Sequence, residues 1–396
     1  IAAAVVDLLV LLLARRCEVR RECLPVLSLG VENLITITFE NNANVHLHVR
    51  LKDEPPPSFE QHGRECNFTV TPWERWEGQY RVVPTERGDY RFGNLNVRLR
   101  TRIGLLELQL RYPIATEVKV YPNVLQTRKH ELLARRNRLL EMGLKRSRMR
   151  GEGTEFEALR DYVPDDEFRR IDWKATARRG KPISKDYELE RHQNVVMLLD
   201  AGRIMANRLE RMTKLDHAIN ACAFLAYVAV QADDHVGLLV FADEILSFVP
   251  PAKGRRQFLH ILEGLYRIQP RLVEANYRLA FTYLAGCVKR RSLIILFTDL
   301  IDPDSSELII QHAPVLARSH VFLCVALSDY ELREMLDMPP HSMDDVYQQA
   351  VAVSILEDRL RAVTKLSQMG AVVLDTNPKS ISVDTVNKYL EIKRRL

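Results

Sequence analysis

Two uninterrupted apolar runs, each closing on an aspartate, set the strongest constraint on this fold: Asn194-Val-Val-Met-Leu-Leu-Asp200 and Leu293-Ile-Ile-Leu-Phe-Thr-Asp299. A strand that is apolar on both faces must be covered on both faces, as in a parallel sheet flanked by helices. The neighbouring sequence supplies those helices. Residues 235–241, 245–249, 321–327 and 371–374 read as further strands, and 213–233, 255–266, 277–289, 342–368 and 383–393 as helices. Alternating strands and helices predict an α/β domain over residues 192–396, with any chemistry at the carboxyl ends of its strands.

Upstream the period changes to two. Ile35-Thr-Ile-Thr-Phe39 and Val45-His-Leu-His-Val-Arg-Leu51 alternate, with Asn41-Asn42 between them as a turn signal. Residues 66–70, 78–83, 94–100, 105–111 and 116–121 continue the series, punctuated by Pro and Gly. Short strands at this spacing predict an antiparallel β-sandwich of immunoglobulin-like type over residues 15–123. His46 and His48 share a side of one strand, but no spacing offers a third ligand, so a polar strand face is the expectation. Arg87 to Gly93 is expected as a turn only through the family resemblance described below, and the Arg-Gly-Asp triplet within it is too short a match to carry an adhesion function. None of the six cysteines forms a C-x-x-C pair, which fits a reducing compartment. A net charge of +5 over 396 residues does not call for nucleic acid.

Between the two patterned regions lie two charged stretches. Residues 124–150 hold nine Lys/Arg against two Glu, interleaved with leucines. Arg135, Arg136, Lys145 and Arg146 would face anionic lipid if this linker lies on a membrane. A solvated connector helix is the alternative. Residues 151–191 are nearly half charged, with Phe156, Leu159, Tyr162, Phe168, Ile171 and Trp173 spaced through them. The flanking charges of Asp172 and Lys174 predict a Trp173 ring packed inward, with Phe156, Leu159 and Ile171 completing the buried side.

Within that stretch, Gly153-x-Glu155-Phe156-x-x-Leu159-Arg160-x-Tyr162 is followed by Asp165-Asp166-x-x-Arg169-x-Ile171-Asp172-Trp173-Lys174 and then by Arg178. This pattern resembles the signature of the bacterial "domain of unknown function 58" family. The resemblance implies a membrane-anchored protein with a von Willebrand factor type A-like, Rossmann-type domain. It also implies a MoxR-type AAA+ ATPase as partner, and it supplies no established activity. On that reading Glu155, Arg160, Tyr162, Asp165, Asp166, Arg169, Asp172, Trp173, Lys174, Arg178 and Arg179 form the signature and the partner surface.

The chain opens IAAAVVDLLVLLLARR. Its first fourteen residues are fewer than the about 20 that span a bilayer. With the family in view, residues 1–14 are expected to be the tail of a transmembrane segment. A signal-peptide remnant or a buried helix remains open, and Asp7 counts against a span. The arginines that follow place the expected soluble bulk on the cytoplasmic side of a bacterial inner membrane.

The family's fold suggests one candidate metal site. Cation-binding von Willebrand type A domains end the first strand in Asp-x-Ser-x-Ser, whereas this chain reads Asp200-Ala-Gly202-Arg-Ile204, with Asp299 as second carboxylate. Without the serine oxygens a near-octahedral magnesium site is not expected, and the carboxylates should cap amides or pair with basic residues. No G-x-S-x-G, H-E-x-x-H or P-loop pattern occurs in the sequence. The expected function is therefore a non-enzymatic interaction module without cofactor. A magnesium-dependent binding protein and a hydrolase are the alternatives.

Overall fold

The computed structural model describes residues 2–122, 155–163, 168, 171–188, 193–209, 212–328 and 330–395. The opening apolar run is a helix, α1 (Ala2–Leu13), which rests on the β domain along a narrow stripe of Asp7, Leu11 and, just past its end, Ala14. Asp7 faces the protein: its carboxylate accepts the Leu105 and Leu106 amides at 2.9 and 2.8 Å and the Thr101 hydroxyl. Among the described residues no helix is long and apolar enough to cross a membrane.

Eleven strands follow: β1 (Glu18–Glu22), β2 (Val26–Ser28), β3 (Asn33–Glu40), β4 (Leu47–Asp53), β5 (Phe59–His62), β6 (Glu65–Val70), β7 (Arg75–Pro84), β8 (Gly88–Phe92), β9 (Leu95–Thr101), β10 (Glu107–Tyr112) and β11 (Thr116–Tyr121). They form sheets in the orders β1-β3-β7-β5, β10-β9-β4-β6 and β2-β11-β8, antiparallel except where β2 meets β11. Alternation works as read: Leu47, Val49 and Leu51 of β4 point into a core shared with Ile35, Phe39, Val97 and Leu99. His48 stands on the outer face beside Thr69.

One expectation needs correction here. Asn41-Asn42 does turn the chain, but not as a hairpin, because β3 and β4 belong to different sheets. The Asn41 amide instead ties an arch between sheets, donating to the Val45 and Thr71 carbonyls at 2.8 Å each. The stretch read as a turn from Arg87 to Gly93 is mostly strand β8, paired with β11.

The α/β region carries the strands β14 (Asn194–Asp200), β17 (His235–Phe241), β18 (Ile245–Ala252), β19 (Ser292–Thr298), β20 (Val321–Leu327) and β21 (Val372–Thr376). They form a six-stranded mixed sheet in the order β18-β17-β14-β19-β20-β21. Edge strand β18 is antiparallel to β17, and the other pairings are parallel. Val195, Met197 and Leu199 of β14 face α3 (Lys214–Gln231), α4 (Arg255–Tyr266) and α9 (Ile381–Arg395). Val196 and Leu198 face α5 (Tyr277–Cys287), α6 (Pro303–Ala317) and α8 (Met343–Gln368). A short hairpin of β15 (Arg208–Leu209) and β16 (Met212–Thr213) leads into α3, and α7 (Tyr330–Asp337) packs beside α8.

The two regions are joined by the Arg87-Gly88-Asp89 corner. The buried Arg87 guanidinium pairs with Asp216 in the first turn of α3 and donates to the Ile268 carbonyl at 2.6 Å. Burial lowers the Arg87 pKa to about 10. Asp89 accepts the Tyr266 hydroxyl at 2.9 Å, and Tyr266 stacks on Tyr121 with ring centroids 4.7 Å apart. Gly88, at φ +143°, holds a backbone conformation that side chains disfavour.

Candidate functional site

The carboxyl edge of the sheet brings Asp200 and Asp299 into one buried cluster, each held by partners from several elements. Asp200, at the end of β14, accepts the Gly202 amide at 2.8 Å, the Tyr277 hydroxyl at 2.6 Å and the Thr298 hydroxyl at 2.7 Å. Asp299 follows β19 and pairs with Lys214 Nζ at 2.6 Å and with the Arg359 guanidinium. Arg359 reaches on to Asp375 at 2.7 Å. Lys214, Asp299 and Asp200 are all buried.

The electrostatics follow from this packing. Two cations face Asp299 and Asp375, so that group is balanced within the protein. Asp200 is the surplus carboxylate. Burial raises its pKa, against the three hydrogen bonds that favour the ion, and the Asp299 charge adds to the rise. The Tyr277 hydroxyl is likewise pushed well above its ordinary value by burial and by Asp200. Cys324 lies in β20, and burial moves its thiol up to about 12, which removes it as a nucleophile.

These residues do not fit a magnesium ion. Gly202 and Ile204 supply no side-chain oxygen. A Cβ at Gly202 would meet the Ala275 Cβ, Asp200 Oδ1 and the Val273 carbonyl, each at 3.1 Å, so a serine there would need the surroundings to shift. The Lys214 and Arg359 charges already rest on Asp299. Above the cluster, Gly202, Arg203, Ile204, Glu274, Ala275 and Ser305 border a shallow crevice, and Arg203 pairs with Glu274 at 3.3 Å. Chemically, the arrangement neutralises charge and fixes the ends of three strands.

The charged signature is a separate small unit. β12 (Glu155–Asp161) pairs antiparallel with β13 (Ile183–Glu188), and the ribbon joins neither large sheet. Between them α2 (Trp173–Arg179) is capped by Asp172, which accepts the Ala175 amide at 3.0 Å, and ends on Gly180 at φ +68°. The Thr176 hydroxyl accepts the Ile183 amide at 3.0 Å, folding the helix back on β13. Ile171 and Ile183 are buried inside this unit, whereas α2 buries no residue.

Trp173 is therefore not the inward anchor that its charged neighbours suggested. It is 63% exposed and lies 6.0 Å from Phe168, itself 70% exposed. Tyr162 completes the group with its ring centroid 6.5 Å from that of Phe168. The helix is too short to bury one face, and Ile183 with Ile171 fills the small interior. Lys174, Arg178 and Arg179 are exposed on the same short helix as Trp173. Glu155 and Arg160 lie on β12. Asp165, Asp166 and Arg169 fall outside the described residues, as do Arg135, Arg136, Lys145 and Arg146.

Four residues of the buried cluster were not anticipated: Lys214, Tyr277, Thr298 and Arg359. Arg359 left a signal, since it shares the buried stripe of α8 with Ala352, Ala362 and Leu366. A charge inside an apolar stripe needs a partner. Lys214 directly follows the cap residue Thr213, a position that offered no such warning.

A family model described as "Protein of unknown function DUF58" matches residues 158–368. The uncharacterized protein YeaD of Bacillus subtilis (strain 168) is 24% identical over 212 residues, covering 52% of this chain and 50% of YeaD. The uncharacterized protein Rv1480 of Mycobacterium tuberculosis (strain ATCC 25618 / H37Rv) is 24% identical over 155 residues, covering 39% of this chain and 49% of that protein. The chain thus spans about half the length of the curated relatives it matches. Among solved structures, the proximal thread matrix protein 1 of the mussel byssus is 11% identical with a TM-score of 0.31, covering 49% of this chain and 47% of that one. A PapD-like domain of human CEP192 is 13% identical with a TM-score of 0.21, covering 27% of this chain and 86% of that one. These structural likenesses are slight.

Proposed function

The chain belongs to the DUF58 family of proteins of unknown function, and from that premise we propose that it is a non-enzymatic, membrane-tethered protein-interaction module. Its partner on this reading is a MoxR-type AAA+ ATPase, which it serves as adaptor in assembling or remodelling other proteins at the cytoplasmic face of a bacterial inner membrane. The β domain is read as immunoglobulin-like and the α/β region as a von Willebrand factor type A-like domain whose strand-end site is degenerate.

One observation carries the proposal: the exposed Phe168 and Trp173 rings, on a unit whose short helix also exposes Lys174, Arg178 and Arg179. Exposed aromatic groups beside arginine are the composition of interface hot spots, where a few such side chains supply most of the binding energy. The strand-end cluster supports the same reading from the other side, since Asp299 is already paired with Lys214 and Arg359 within the chain.

The test is co-purification of the full chain with the MoxR-type ATPase from the same organism. The parent protein should retain the ATPase, whereas Trp173→Ala and Arg179→Glu should each release it without lowering the melting temperature. Retention by both variants, or no association with the parent, would overturn the assignment.

A further inference from the structure

The Asp7 carboxylate does more than hide a charge. By accepting the Leu105 and Leu106 amides it fixes the β9–β10 loop alongside α1. Thr101 closes the same knot from β9, and Arg100 braces the loop by donating to the Gly104 carbonyl at 3.1 Å. The loop so held presents Ile103, Leu105 and Leu106 outward, Leu105 at 57% exposure. Next to it, α1 buries only its narrow stripe and leaves Val5, Leu8, Leu9, Leu12 and Leu13 exposed. The two elements are neighbours, each with exposed apolar side chains, and the polar knot lies between them.

Around this surface exposed arginines outnumber exposed carboxylates. Arg15 and Arg16 follow α1, while Arg100 and Arg102 flank the loop. The acidic residues nearby are taken: Glu107 pairs with Arg98 and Glu18 with Arg20. Exposed apolar side chains beside arginines complement an anionic bilayer, where apolar groups enter the headgroup boundary and basic groups stay at the phosphates. We propose that the β9–β10 loop is a second lipid-contacting element, which seats the β domain against an anionic membrane beside α1. The inference rests on the membrane-tethered part of the reading above, and it assigns to the β domain a surface that a simple tether does not require.

The resulting geometry accounts for the position of Asp7. A carboxylate in hydrocarbon is costly, and here it is shielded by three donors from the domain it holds. The helix can then offer its whole remaining arc to lipid without exposing the charge.

Flotation of the full chain with vesicles tests the idea, comparing phosphatidylglycerol–phosphatidylcholine mixtures with phosphatidylcholine alone. The parent should float preferentially with the anionic vesicles. Ile103→Glu combined with Leu105→Glu should weaken that binding about tenfold or more, while Leu272→Glu, an exposed apolar residue of the α/β region, should float like the parent. A Leu105→Trp variant gives an independent reading: its indole emission should move to shorter wavelength and be quenched by brominated lipid. If the charged double variant floats like the parent and the Leu105→Trp indole is unquenched, the loop is not on lipid, although the tether survives. If the indole responds to the ATPase and not to vesicles, the surface is a protein interface and the lipid assignment is wrong. A parent that does not float at all overturns both the loop and the tether.

Discussion

At the carboxyl edge of the large sheet the charges are inside, and on the signature ribbon the aromatic rings are outside. Asp200, Asp299, Lys214 and Arg359 are buried together, whereas Trp173 and Phe168 stand in solvent on a two-stranded ribbon. The difference separates what each region can still bind. A buried ion pair has already lost its water, and removing one partner leaves a bare charge, so it is committed to the fold. An exposed ring still holds apolar area that a partner could cover, at about 25 cal/mol per Å². Sequence gives both regions similar credentials, because each is rich in Asp and Arg. Burial commits one to stability and leaves the other open to a partner.

The largest effect is expected at Asp299. Asp299→Ala leaves the Lys214 ammonium and Arg359 guanidinium without their shared counter-charge, and the expected loss is roughly 3–5 kcal/mol in urea unfolding. Parent-like stability would mean that the cluster is open to water and available to a ligand.

A smaller effect of opposite sign is expected at Asp200. Its pKa is raised in the folded state by burial, so the folded chain holds a proton that the unfolded chain releases. Stability from this group is therefore lost as pH rises from the ordinary aspartate value through the raised one. Asp200→Asn keeps the shape of the protonated acid, and it should remove that slope. At neutral pH the variant should be the more stable of the two. Parallel stability curves for parent and variant across that window would show that Asp200 is ionised and solvated.

Smaller still is the effect of Trp173→Ala on folding. An exposed ring contributes little to the native state, so unfolding should change by within about 0.5 kcal/mol. A loss of several kcal/mol would restore the inward-facing tryptophan that the sequence suggested, and with it a ribbon that acts as a brace.

How much could be read beforehand depended on which way the charges point. The apolar runs at Val195–Leu199 and Leu293–Phe297 were unambiguous, and the α/β order around them followed from their period. β1 was missed because its sequence, EVRRE, looks solvent-facing, yet Arg21 points inward to Asp53. Arg359 is the same case on a helix. Hydropathy counts an arginine as outward and has no way to see its partner, which lies 32 residues away for Arg21 and 60 residues away for Arg359. α6 was missed for another reason: Pro314 sits inside it and interrupts the helical pattern. Trp173 failed in the opposite direction, since flanking charges are equally common beside a buried ring and beside an exposed one. Only the length of α2 and the filling of the ribbon by Ile171 and Ile183 decide it.

The Asp299 charge that a metal would neutralise is already met by Lys214 and Arg359, and Asp200 is left without a second carboxylate to share an ion, so added magnesium should change nothing. A ligand present at a hundredfold excess over its Kd would add about 2.7 kcal/mol to the folded state, which a thermal melt resolves easily. With Lys214 and Arg359 on Asp299 and the Gly202 position closed, melting curves in millimolar magnesium and in EDTA should coincide. A reproducible rise in Tm with magnesium that disappears in Asp200→Ala would contradict the account and return the carboxyl edge of the sheet to the status of a metal site.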